Sequence, residues 1–319
     1  MTVRVGVIGT GFGARVVAPV FSETEGCEVV EVVSARDDIG VANLCDRSDV
    51  DLISVHSPPF LHSIHVRRAL QSHHAVLCDK PFGSAAGHAE TMLAAAEAAE
   101  CVHLLNFEFR YDPIRQLFGK LLADGAIGSP EHVSWTHLSS GSRVPLRPHG
   151  WLFDRAQGGG WVGAWGSHAV DTLRVWFGDI ATVQANCRTT ITERPDRDGV
   201  MQKCDAEDAF SAWLVHDGGV SVTIDSTFAA ASSMAPRLIA TGSEGILECI
   251  ADERIVVRRT DGEREEHPRP ESDVDPHRVP MRRFAEVVRD AVEAGTVPPG
   301  TPTFVDGLAC VRVLEQLRA

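Results

Sequence analysis

The sequence predicts an α/β protein: a doubly wound parallel sheet, then an α+β domain with an open, mainly antiparallel sheet. Three observations carry this. A short apolar run closes on Gly9-x-Gly11-x-x-Ala14 and opens into a helical pattern. Short strand patterns alternate with helical ones up to about residue 106. Beyond residue 119, consecutive strand patterns are joined by turns. The expected domains are 1–118 and 119–319.

Val5, Val7 and Ile8 read as a buried parallel strand, and Val16, Val17, Val20 and Phe21 have helical spacing. Between them Gly9 allows a tight turn, Gly11 lets backbone approach a pyrophosphate, and Ala14 permits close strand–helix contact. Pro19 falls inside the expected helix 15–23, where it removes a hydrogen bond and introduces a kink. Cys27–Val33 is a second strand, ending in Ser34-Ala35-Arg36-Asp37. An acidic residue near this end suits a ribose 2′-hydroxyl and an arginine a 2′-phosphate. Ala35 and Arg36 hold that place, with Asp37 and Asp38 slightly late, which favours NADP with NAD as the alternative.

Asp51–His56 is a third strand, closed by a turn at Ser57-Pro58-Pro59. A helix over 62–72 follows, with Ile64, Val66, Ala69 and Leu70 inward. Ala75–Cys78 is the fourth strand and ends in Asp79-Lys80-Pro81; Ser84 caps a helix through Ala99, and Val102–Asn106 is the fifth strand. Gly9, Arg36, Ser57, Asp79-Lys80 and Asn106 all fall at the carboxyl ends of strands, where a doubly wound sheet binds its ligand.

In the second half, strands are expected at 131–138, 182–192, 209–216, 219–227, 237–241, 245–250 and 254–258, with helices at the sheet's borders. Asp217-Gly218-Gly219 is a hairpin signal, and 193–208 and 260–280 read as loops. Gly158-Gly159-Gly160 leads through Trp161 and Trp165 to His168, at the start of a helix that ends at Gly178. A helix-start dipole favours neutral imidazole, able to accept a substrate proton; a capping or core histidine is the plainer alternative.

A net charge of −14 argues against nucleic-acid and anionic-membrane partners. No apolar run approaches the length of a membrane helix and no signal peptide is visible, so a cytoplasmic protein is expected. Eight cysteines without CxxC spacing read as reduced thiols, and no histidine spacing marks a metal site. Lysine occurs only at 80, 120 and 203, against 27 arginines, and so marks Lys80 as a place that needs a compact ammonium.

Together these residues resemble the Gfo/Idh/MocA family. The likeness rests on the glycine turn, Ser57-Pro58-Pro59-Phe60-Leu61-His62, Cys78-Asp79-Lys80-Pro81, Asn106–Pro113 with Arg110, the glycine-to-Asp171 stretch at 158–171, and Gly242–Gly245. It implies a Rossmann domain carrying NAD(P), and a second domain for substrate whose sheet forms a homo-oligomer, dimer or tetramer. It further implies hydride transfer between nicotinamide and a secondary alcohol or ketone of a sugar, cyclitol or related small molecule. Carried over by position, Lys80 contacts the reacting oxygen and His168 is the acid/base. Gly9, Gly11, Phe12, Gly13, Ala35, Arg36, Ser57, Pro58, His62, Asp79, Lys80 and Asn106 would hold the cofactor. Arg110, His149, Trp151, Trp165 and His168 are the substrate-side candidates, with an ion pair or core packing as the plainer readings of Arg110 and the tryptophans.

The sequence also departs from the family pattern. Ala164 stands where the family has an Asp that binds a substrate hydroxyl, Asp79 replaces a Glu, Pro59 replaces an Asn, and Tyr111 is the only tyrosine. Two other functions therefore stay open: a cofactor-binding regulator that has lost its chemistry, and a glycosidase that uses NAD transiently.

Overall fold

The computed structural model describes residues 2–319, which cluster into two compact units. Of the described residues, the first comprises those up to 111, 156–158 and 273–312, and the second 112–155, 159–272 and 313–319. The chain therefore crosses between units several times instead of once at 118/119, because a C-terminal segment returns to the first unit.

The first unit runs β1 (Val3–Ile8), α1 (Ala18–Glu23), β2 (Cys27–Val33), α2 (Asp38–Cys45), β3 (Leu52–Val55), α3 (Pro59–Gln71), β4 (Ala75–Asp79), α4 (Ala86–Ala99) and β5 (His103–Asn106). Its strands pair in parallel in the order β2–β1–β3–β4–β5. The order reverses between β1 and β3, the switch point at which doubly wound sheets bind ligands. Val3, Val5, Val7, Leu52, Leu77 and Leu104 are fully buried between these layers.

Local chemistry refines several expectations. A π-helical turn over Gly13–Val17 runs directly into α1, so Pro19 lies inside a continuous helical run, and the wider turn immediately precedes the position where proline lacks its N–H. α3 begins at Pro59, since proline suits the first helical position. Ile64 is not inward: it is 65% exposed, while His62, His65, Val66, Ala69 and Leu70 form the buried face. Ser84 does not cap α4; its hydroxyl pairs with His88 Nδ1 at 2.8 Å, and Ala85 is the cap position.

In the second unit, α5 (Pro113–Ala123) and α6 (Ser167–Phe177) accompany an eight-stranded sheet. Its strands are β6 (Pro130–Leu138), β7 (Ile180–Arg188), β10 (Ala209–His216), β11 (Ser221–Thr227), β12 (Arg237–Gly242), β13 (Gly245–Ile250), β14 (Arg254–Arg259) and β15 (Arg264–Pro268). A separate hairpin pairs β8 (Glu193–Pro195) with β9 (Met201–Lys203). The large sheet has the order β15–β14–β13–β12–β6–β11–β10–β7, antiparallel except where β6 meets β11. The stretches 193–208 and 260–280 are thus not wholly loop: the first holds the hairpin, and the second supplies edge strand β15 and the start of α7 (Arg278–Ala294). Pro280 sits in the first turn of α7, a tolerated place. Met281, Phe284, Ala285, Val288 and Ala291 of α7 bury into the β1 side of the first unit, and α8 (Phe304–Arg318) closes the chain.

Candidate active site

The residues expected at the cofactor do lie at or just beyond the carboxyl ends of β1–β5, along one edge of the parallel sheet. Gly9 has φ +133°, and a side chain there would strike the His56 carbonyl. Its N–H donates to Val33 O at 2.8 Å, which ties the turn to β2. Gly13 packs against Val7 and His56, where a Cβ would sit 3.0 Å from each. Gly11 is exposed at the crest of the turn, and a Cβ there would project into open space. That is the room a pyrophosphate needs. Phe12 packs its ring 5.1 Å from His277 and 5.9 Å from His56.

Beyond β2, Ala35 is buried and Arg36 exposed, its guanidinium in no ion pair among the described residues. The Asp37 carboxylate is already used: Oδ1 caps α2 by accepting from Gly40 N at 2.9 Å. Arg36 is thus the cation at this strand end, and the exposed Asp38 follows it in the first turn of α2.

Beyond β3, Ser57 is gripped through both its oxygens. His62 Nε2 donates to Ser57 O at 2.7 Å, and His65 Nδ1 lies 3.0 Å from Ser57 Oγ. His62 is fully buried, and burial pushes its pKa down to about 4, so the ring is neutral near pH 7. It holds the Ser57-Pro58 turn from beneath, where the sequence placed it against the cofactor.

At the end of β4, burial raises the Asp79 carboxyl, but the hydrogen bond and charge of His56, with Lys80 and His62, more than offset this and hold it below the usual carboxylate range. Asp79 Oδ1 accepts the Lys80 backbone N–H at 2.9 Å and Asn106 Nδ2 at 3.4 Å. Asn106 Oδ1 is buried with no hydrogen-bond partner among the described residues, an acceptor facing no donor. An open glycine crest, a cation at β2, a carboxylate beside a half-buried lysine and a waiting amide oxygen all fit a dinucleotide.

Arg110 is committed within the first unit. Its Nη2 pairs with Asp306 Oδ1 at 2.8 Å and Nη1 donates to Gly300 O at 3.2 Å, with 10% of its side chain exposed. A substrate carboxylate would have to displace Asp306. Tyr111 stacks on Phe284 at 4.9 Å.

In the second unit, the glycine run is a structural clamp. Gly160 has φ +108°, and a side chain there would enter the Glu207 carboxylate. That carboxylate also accepts Val162 N at 3.2 Å and Arg318 Nη2 at 2.8 Å. Val162–Gly166 forms a π-helical turn that continues directly into α6. His168, 3% exposed, therefore lies more than a turn inside a continuous helical run. The field of a free helix end does not reach that far, so the expected dipole argument drops out.

Trp165 is not an open stacking platform: it packs 5.3 Å from Trp135, 4.9 Å from His137 and 6.0 Å from Phe210. Trp161 stacks on Phe228 at 4.4 Å and donates Nε1–H to Ser226 Oγ at 2.8 Å. His149 and Trp151 remain half-buried in the approach to the glycine clamp, His149 N donating to Pro195 O at 2.7 Å. Among the described residues no group of three His, Cys, Asp or Glu could hold a metal ion, and no helix is long and apolar enough to cross a membrane.

Two participants were missed in the sequence: His56, visible there only as a strand terminus, and His277, which pairs with Glu108 at 2.8 Å across 169 residues of chain.

Residues 37–107 match the model of the oxidoreductase family's NAD-binding Rossmann fold, and residues 116–248 match the GFO/IDH/MocA C-terminal domain. The chain is 29% identical to an uncharacterized oxidoreductase of Synechocystis over 60% of its own length and 56% of that protein's. It is 26% identical to D-apiose dehydrogenase of Paraburkholderia graminis over 91% of this chain and 76% of the relative. A levoglucosan dehydrogenase solved with NADH and levoglucosan superposes with TM-score 0.86 at 19% identity, covering 100% of this chain and 96% of that one, a likeness of fold. With both domains matched in order, the chain belongs to the GFO/IDH/MocA oxidoreductase family.

Proposed function

We propose that this protein is an NAD(P)-dependent dehydrogenase or reductase acting on a secondary alcohol or ketone of a sugar, cyclitol or related small molecule. The observation that carries this reading is the single edge of the parallel sheet, where the open Gly11 crest, Arg36, Asp79-Lys80 and Asn106 meet. Bound there, a nicotinamide would supply the hydride chemistry. Lys80 would stabilise negative charge on the reacting oxygen, and His168 would take its proton in oxidation and return it in reduction. Relatives named as D-apiose and inositol dehydrogenases set the substrate class to try first.

The test is a screen of sugars and cyclitols with NADP and NAD, reading net formation of reduced nicotinamide. Cleavage of a glycoside with no net cofactor change would assign the glycosidase chemistry instead. Cofactor binding without turnover on any of them would favour a regulator, the reading that Ala164 supports.

Arg36 supports NADP over NAD, since Asp37 is spent on its cap. Arg36→Ala is expected to weaken NADPH binding by about 10- to 100-fold and to leave NADH within about threefold. Equal losses for both would remove Arg36 from the 2′-phosphate.

The oligomer is proposed to form through the outer face of the eight-stranded sheet. An open groove of about 510 Å³ there is lined by Ser134, Thr136, Gln184, Ser211, Thr223 and Asp225 among others. Trp213, 40% exposed, lies beside it on β10. Trp213→Glu is expected to shift sedimentation from oligomer to monomer; an unchanged sedimentation coefficient would move the interface elsewhere.

A further inference from the structure

Ser54, His56 and Asp79 run in line beneath the strand ends of the first unit. The Ser54 hydroxyl is 2.7 Å from His56 Nε2, and His56 Nδ1 is 3.2 Å from Asp79 Oδ2. The His56 side chain is 0% exposed and that of Asp79 15%. On its far oxygen, Asp79 holds the Lys80 backbone N–H and the Asn106 amide.

Ser, His and Asp in a row match an acyl-transfer triad, but Ser54 is 0% exposed inside β3, beyond reach of any substrate. What remains is a device for position. A carboxylate only accepts, so the Nδ1 that faces it carries the proton. Nε2 pairs with the Ser54 hydroxyl, which can donate or accept, so the ring is held at both nitrogens. The same residue is wedged under the glycine turn: Gly13 packs on its Cβ, and the space above its carbonyl is open only because residue 9 is glycine.

We infer that His56 is a positioning residue that fixes the Asp79 carboxylate, and through it Lys80, for the hydroxyls of the nicotinamide ribose; this rests on the nucleotide site proposed above. An ionised carboxylate offers about four acceptor positions. Partners within the chain fill three: His56 Nδ1, Lys80 N and Asn106 Nδ2. The remaining position lies on Oδ2 of the partly exposed carboxylate, the oxygen that His56 Nδ1 holds, and Asn106 adds an unpartnered Oδ1 of its own. A free carboxylate position and a free amide oxygen suit a ligand that brings hydroxyl donors.

Asparagine places an amide nitrogen where histidine has Nδ1, and glutamine where it has Nε2. His56→Asn therefore keeps the donor to Asp79, whereas His56→Gln loses it at similar polarity. Fluorescence titration with NADH and NADPH is expected to show a 10- to 100-fold loss of affinity for His56→Gln and a change within about threefold for His56→Asn. Long-range ¹H–¹⁵N NMR of the cofactor-free wild type is expected to show Nδ1 protonated. Unchanged affinity in His56→Gln, equal losses in both variants, or a ring unprotonated at Nδ1 would each overturn the inference. Wild-type protein that binds neither nucleotide would overturn the site itself, and the inference with it, an outcome that the NMR tautomer keeps distinct from a wrong role for His56.

Discussion

Lys80→Ala protein is expected to fold normally and to lose about 10³-fold in turnover. A loss of that size corresponds to about 4 kcal/mol of transition-state stabilisation. It follows from the need for a compact cation where an alcohol oxygen gains or loses its proton. Lys80 is one of only three lysines among 30 basic side chains, and its backbone is pinned to Asp79 at 2.9 Å. Lys80→Arg should not restore the rate, because a planar guanidinium is bulkier and more diffuse than an ammonium. The check is kcat and KM for both variants beside their unfolding midpoints. Near-normal turnover in Lys80→Ala would remove it from the mechanism.

His168→Ala is expected to lower the rate by about 10²–10⁴-fold and to flatten the acid or base limb of the pH–rate profile. The imidazole is buried near the start of α6, so its truncation also leaves a cavity. His168→Gln separates the two effects by filling the space without supplying an acid or base. A retained pH profile in both variants would deny the role. If Lys80 and His168 act on one oxygen, the double variant should cost much less than the product of the single losses.

The legibility of the molecule followed the range of its interactions. The first unit was readable because each strand, turn and helix declares itself within about ten residues, and five strand ends with ligand-type residues converge by topology alone. The phase of α3 was not readable from hydrophobicity. Its buried face carries His62 and His65, which hydrogen-bond to Ser57, while apolar Ile64 points to solvent.

Remote pairings were invisible for the same reason. From sequence Arg110 reads equally as a substrate ligand or an ion-pair member, and its partner Asp306 lies 196 residues away. Trp165 is a substrate-side candidate by sequence, yet its ring packs against Trp135, His137 and Phe210 from distant strands. The return of α7 to the β1 side depends on Met281, Phe284 and Val288 meeting Val3, Val5 and Val7, a pairing that neither stretch announces alone. His168 was identified by its motif, but the argument from a helix start failed because a π-helical turn carries the helix back to Val162.

The most direct test of a dinucleotide-binding oxidoreductase is fluorescence titration of the purified protein with NADH and NADPH side by side. The account predicts saturable binding of one nucleotide per chain, tighter for NADPH. Tighter NADH would return the ribose to an acidic partner such as Asp38, and binding of neither would contradict the active site built on the strand ends.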